Sequence, residues 1–187
     1  MDIGTLQSKV NTYKEILGNT ANYRKDWGET IKPMILKNLN AIVKESGLKA
    51  AVEVRDDIEN LEVIILSLGQ EHSGISEKIQ GSSIKRHMIK NNGALVYQQL
   101  FNGKIMILIM YPFIEGYGEP KPPKNLEILR PEELKEPYIV RHVESLLQEV
   151  IQWEDYDDDI DGQIKANPIG FNKIIETELE VADITGK

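Results

Sequence analysis

No cysteine occurs in the 187 residues. Its absence excludes disulfide cross-links, thiolate metal cages and cysteine nucleophiles together. The chain also contains no uninterrupted apolar run of the length a membrane-spanning helix needs, about 18 residues or more, so no membrane partner is expected. Its opening residues, Met1-Asp2-Ile3-Gly4-Thr5, have neither a basic head nor an apolar stretch behind it, and no secretory signal is read there. A cytoplasmic protein is the expectation. A basic surplus is missing as well. The formal charge is -8, with 30 acidic against 22 basic residues. From Glu154 to Lys187 ten acidic residues face three basic ones, so nearly all the excess belongs to that segment and the body is close to neutral. Nothing there displaces counterions from phosphates, and no nucleic-acid partner is expected.

What is present is apolar residues, 41% of the chain, many of them at regular spacing. Residues 1–153 read as a single α+β domain and 154–187 as an acidic C-terminal extension that is partly ordered, with Ile169 to Leu179 as the docking part. Ile3, Leu6, Val10, Tyr13, Ile16 and Leu17 recur at helical spacing, with Gly18 placed as a stop. Asn19 to Asp26 reads as a polar connection. A second helix starts near Glu29 or Thr30, because Pro33 is tolerated only in a first turn. It carries Ile31, Ile35, Leu39, Ile42 and Val43 on one stripe and closes at Gly47. The pair predicts an N-terminal helical hairpin.

An antiparallel meander sheet of four to six strands follows. Ala50 to Arg55 alternates, Asp56 to Asn60 is a turn, and Leu61 to Leu68 is a second strand. Gly69 to Gly81 loses the pattern and reads as a loop or short helical turn. Ile84 to Ile89 gives a third strand, at an edge protected by Lys85, Arg86 and Lys90. The strongest local signal is Asn102-Gly103 between two apolar runs covering Ala94 to Ile114, which predicts a hairpin with a two-residue type I′ turn. That turn pairs Phe101 with Lys104, Gln99 with Met106, Tyr97 with Leu108 and Leu95 with Met110. One face then holds Val96, Gln98 and Leu100 with Ile105, Ile107 and Ile109. The other holds Leu95, Tyr97, Phe101, Met106, Leu108 and Met110. Pro112 ends the strand, Gly116 to Pro123 loops, and Leu126 to Leu129 is a brief further strand. Pro137 to Trp153 predicts a long C-terminal helix with a wide apolar stripe.

Both faces of this hairpin are apolar, so both need a cover. Helices on the two sides supply it most simply, the N-terminal pair on one and the C-terminal helix on the other. Alternatively all helices share one face and leave the second for another molecule. The second face, Leu95, Tyr97, Phe101, Met106, Leu108 and Met110, is therefore the candidate interaction surface. The function expected is a non-enzymatic protein-interaction module, chaperone-like or self-associating, whose partner is another protein or its own copy. No cofactor, metal or catalytic residue is assigned.

Two other readings compete. Asp157-Asp158-Asp159-Ile160-Asp161-Gly162 matches the first positions of a calcium loop, with Ile164 at the aliphatic position, but Pro168 stands where the bidentate Glu belongs. A solvated acidic linker describes it better than a calcium- or small-ligand-binding domain. Glu71, His72 and Ser73 bring together the residue types of a hydrolase, yet such sites are defined by geometry and not by adjacency. His142, beside the stripe of the last helix, reads as a structural histidine, and Gly116-Tyr117-Gly118 lacks the third glycine and following helix of a dinucleotide loop.

Overall fold

The computed structural model describes residues 3–79, 81 and 83–155. The acidic segment beyond Asp155, including Asp157–Asp161 and Ile169 to Leu179, lies outside the described residues.

The chain is helical without a break from Gly4 to Ser46, as α1 (Gly4–Asp26), a π-helical turn (Trp27–Ile31) and α2 (Lys32–Ser46). This corrects the expected hairpin of helices. Gly18 and the polar residues after it lower helix propensity by about 1 kcal/mol at most per residue, and that does not force a break. A glycine ends a helix when it takes a left-handed conformation, which Gly47 does at φ 70° and Gly18 does not. The wide turn comes just before Pro33, whose missing N–H and bulky ring disturb the regular ladder there.

Eight strands follow among the described residues: β1 (Ala51–Arg55), β2 (Val63–Ser67), β3 (Gln70–Lys78), β4 (Lys85–Asn91), β5 (Ala94–Gln99), β6 (Ile105–Met110), β7 (Phe113–Ile114) and β8 (Lys124–Leu129). They form a five-stranded antiparallel sheet in the order β1-β2-β5-β6-β8 and a three-stranded sheet in the order β3-β4-β7. The architecture is α+β. The meander is interrupted, because β3 and β4 leave the main sheet and pair with each other. Residues 70–78, expected to be a loop, are a strand, and β4 is the centre of its sheet and not an edge. A 3₁₀ turn (Pro131–Glu133) leads into α3 (Glu136–Glu154).

At the Asn-Gly turn the register differs by one residue from the sequence expectation. Leu95 pairs with Ile109, Tyr97 with Ile107 and Gln99 with Ile105. Leu100 and Lys104 close a loop of Phe101, Asn102 and Gly103, in which the Gly103 N–H donates to the Leu100 carbonyl at 2.8 Å. Gly103 is left-handed at φ 76°. This is a type I turn followed by a bulge glycine, the second commonest hairpin solution. The consequence is large, since a one-residue slip exchanges the faces of one strand relative to the other.

The core lies on one side of the main sheet. Leu95, Tyr97, Ile105, Ile107 and Ile109 pack with Ile64 and Leu66 against Ile35 and Leu39 of α2 and Ile139, Val143 and Leu146 of α3. Helix α2 lies on β1 and β2, α3 lies on β5, and the two helices touch each other. Both helices therefore cover the same face, which corrects the expectation that they sit on opposite sides. Helix α1 buries none of its residues.

Candidate functional site

The interaction surface read from the sequence divides in two. Leu95 and Tyr97 are fully buried beneath the helices. Met106, Leu108 and Met110 alternate with the buried isoleucines of β6 and so point to the opposite face. Phe101 lies in the turn and is 73% exposed. The six residues do not form one surface, because the three-residue loop moved β5 by one position against β6.

The face turned away from α2 and α3 is built by cross-strand rows. Ile65 of β2 stands beside Val96 of β5, and Val96 beside Leu108 of β6. The next row runs Val63, Gln98, Met106 and Ile128 across four strands. Glu53 and Arg55 border these rows on β1. Side chains in such rows touch directly, which keeps the patch continuous. Val96 at its centre is shielded by its neighbours, while Met110 and Ile128 at the rim are 41% and 49% exposed. None of these residues belongs to the core packed under α2 and α3. Sequence periodicity could identify two apolar faces but not which one the helices take.

The second arrangement of note is polar and buried. Tyr97 and His142 stand 3.0 Å apart at Nδ1, and His142 Nε2 lies 3.2 Å from Glu127 Oε1. A carboxylate only accepts, so Nε2–H donates to Glu127 and Nδ1 accepts from the Tyr97 hydroxyl. Arg141 pairs with the same Glu127 oxygen. Burial raises the Tyr97 phenol far above its usual range, with the Glu127 charge adding to it, so the group stays a donor. Burial lowers the His142 imidazole below 6.5, opposed by its bond to Glu127.

This Tyr–His–Glu chain has the partners of an acid–base relay but no access, since Tyr97 is 0% and His142 1% exposed. A cleft of ≈ 180 Å³ lies by Ser67, Gln70, Asn91 and Met110, and another of ≈ 270 Å³ lies between Ile31, Met34 and Leu134. Neither is lined by Tyr97, His142 or Glu127. The chain is a satisfied structural network joining α3 to β5 and β8, as His142 was read from sequence. Its partners, 45 and 15 residues distant, had no local signal.

The network makes stability pH-dependent in a definite direction. An unfolded histidine takes its proton near 6.5, and folded His142 takes it only at lower pH. The unfolded state therefore binds more protons between those two values, so stability falls as pH drops through 6.5 and levels off below the folded pKa. Urea unfolding at pH 7 and pH 5 is expected to show a larger loss for the native chain than for His142→Gln. Equal losses in the two proteins would contradict this coupling.

The other sequence candidates do not assemble. Glu71, His72 and Ser73 are successive residues of β3, so His72 points away from the other two. Glu71 pairs with Lys90 at 2.8 Å, and the Ser73 hydroxyl donates to the Met88 carbonyl at 2.8 Å. His72 lies against the His87 ring, centroids 6.1 Å apart, and among the described residues no group of three or more His, Asp or Glu is placed to hold a metal ion. No helix among the described residues is long and apolar enough to cross a membrane. Compared with protein-family models, curated proteins and solved structures, the chain matches none.

Proposed function

We propose that this chain is a non-catalytic, cytoplasmic protein-interaction module that holds a protein partner on the open face of its five-stranded sheet, in a chaperone-like manner. One observation carries the reading: α2 and α3 share one side of the sheet, and the Ile65–Val96–Leu108 row lies on the side turned away from both helices. A contiguous apolar patch of this kind, rimmed by Glu53, Arg55 and Asn125, is a feature of docking surfaces. The two methionines on it, Met106 and Met110, add flexible, polarisable contacts that adapt to different segments. The nearly neutral body supports a protein partner over a nucleic acid.

The test is site-specific photo-cross-linking in cells. A photoreactive residue at Leu108 or Ile65 is expected to give a discrete protein adduct, and one at exposed Glu144 of α3 none. Adducts at neither sheet position, or equal adducts at Glu144, would remove the reading. The calcium alternative rests on Asp157–Asp161, outside the described residues, and no described feature favours it.

A further inference from the structure

Helix α1 presents a second uncovered apolar surface of different shape. Ile3, Leu6, Val10, Tyr13 and Leu17 follow one another at strict alternating spacings of three and four, and the series continues through Thr20, Arg24 and Trp27. Leu6 is 59% and Tyr13 62% exposed. From Thr20 onward the molecule itself fills the stripe. The β5–β6 turn packs against Thr20 and Tyr23, the Arg24 guanidinium donates to the Phe101 carbonyl at 2.6 Å, and Trp27 enters the core. From Ile3 to Leu17, roughly 22 Å of helix at 1.5 Å per residue, every residue is exposed except Val10, which is partly buried.

The Ile3–Leu17 stretch extends a helix already nucleated through Ser46, and turns that pack against nothing are held only by the weak propensity of their own residues. This stretch carries Gly4, Thr5, Asn11 and Thr12, with Gly18 just after it. It needs a packing partner. A strict seam at alternating three and four residues is narrower than the stripe a helix turns toward a globular core, and it fits one other helix.

We propose that α1 pairs with α1 of a second copy of the chain, antiparallel, to make a homodimer. The residues flanking the seam decide the direction. On one side lie Gln7, Lys14 and Ala21, on the other Lys9, Ile16 and Tyr23. A parallel pair brings Lys9 of one chain against Lys14 of its partner, a like-charge contact. The antiparallel pair that sets Leu6 opposite Leu17 and Val10 opposite Tyr13 places Lys9 beside Ile16 and Lys14 beside Gln7. No like charges then meet. Ile3 falls opposite Thr20, where the partner's exposed Phe101 stands close to the end of the seam.

Ten large side chains, at roughly 100 Å² each by the usual transfer range, bury about 1,000 Å². That is near the lower bound for a specific interface, so the dimer dissociates on dilution through the micromolar range. The surface is separate from the open sheet face, and the two readings stand or fall independently.

Sedimentation equilibrium of the full chain tests it. The mass is expected to rise with concentration from 21.2 kDa toward twice that value. Leu6→Lys/Tyr13→Lys, which touches no core side chain, stays at the single-chain mass while still unfolding in one cooperative urea transition, whereas Leu108→Glu still dimerises. Because the chain has no cysteine, orientation follows from single cysteines. Leu6→Cys and Leu17→Cys each form little disulfide dimer alone and cross-link when mixed. A single-chain mass into the high micromolar range would overturn the proposal and assign the stripe to another occupant. Efficient self-linking of each cysteine variant would overturn the antiparallel arrangement.

Discussion

Leu95→Ala is expected to cost about 3 kcal/mol of unfolding free energy, and Leu108→Ala about 1 kcal/mol. The chemical change is identical, and the sequence alone places both leucines on one face of the same hairpin. In the structure Leu95 is fully buried between the sheet and the two helices, so its truncation leaves a cavity among Ile109, Leu66 and their neighbours. Leu108 looks the other way and is only partly buried beside Val96. Its truncation loses only part of a transfer free energy and opens no internal void. Urea midpoints at constant m value read the difference directly. Equal losses would mean that the faces are assigned wrongly or that the second face is covered.

Gly103→Ala is expected to cost about 3 kcal/mol, from two sources. A φ of 76° puts an L side chain in the left-handed region, worth roughly 1–2 kcal/mol. The added carbon would also stand 2.6 Å from the Tyr23 Cβ and 3.1 Å from the Arg24 backbone nitrogen. Neither atom is the free end of a flexible side chain, so the turn and α1 must move apart. Gly69→Ala separates the two sources: its φ is 78°, but nothing lies within 4 Å of the added carbon. That variant is expected to lose only about 1 kcal/mol. Similar losses at both positions would detach the turn from the helix and remove the reason for the observed register.

That contact also explains why the register was not legible. Asn-Gly serves a type I′ turn, and a glycine serves equally the left-handed bulge after a type I turn. The residues of the turn itself do not separate the two. Here the three-residue loop accompanies the seating of Gly103 against Thr20, Tyr23 and Arg24, a contact 79 to 83 residues away in sequence. The stripes of α2 and α3 and the strands β1, β2, β5, β6 and β8 were readable because each has a side with apolar residues in the core or packed against it. Strand β3 has none. Glu71, His72, Ser76 and Glu77 are all exposed, and the strand exists through pairing with β4, a tertiary cause that leaves no alternation. Gly18 and Asn19 similarly suggested an end to α1 that propensity alone was too weak to impose. For the site, two apolar faces were visible in the sequence. Which one the helices chose depends on long-range packing.

The division of the sheet into a helix-covered side and an open apolar side is tested most directly by thiol labelling along β6. In a chain without native cysteine, single cysteines at Ile105, Met106, Ile107, Leu108, Ile109 and Met110 report their surroundings one by one. Cysteines at 106, 108 and 110 are expected to react roughly a hundredfold faster than those at 105, 107 and 109, whose labelling requires opening of the core. Slow labelling at 108, or rates that do not alternate along the strand, would contradict it.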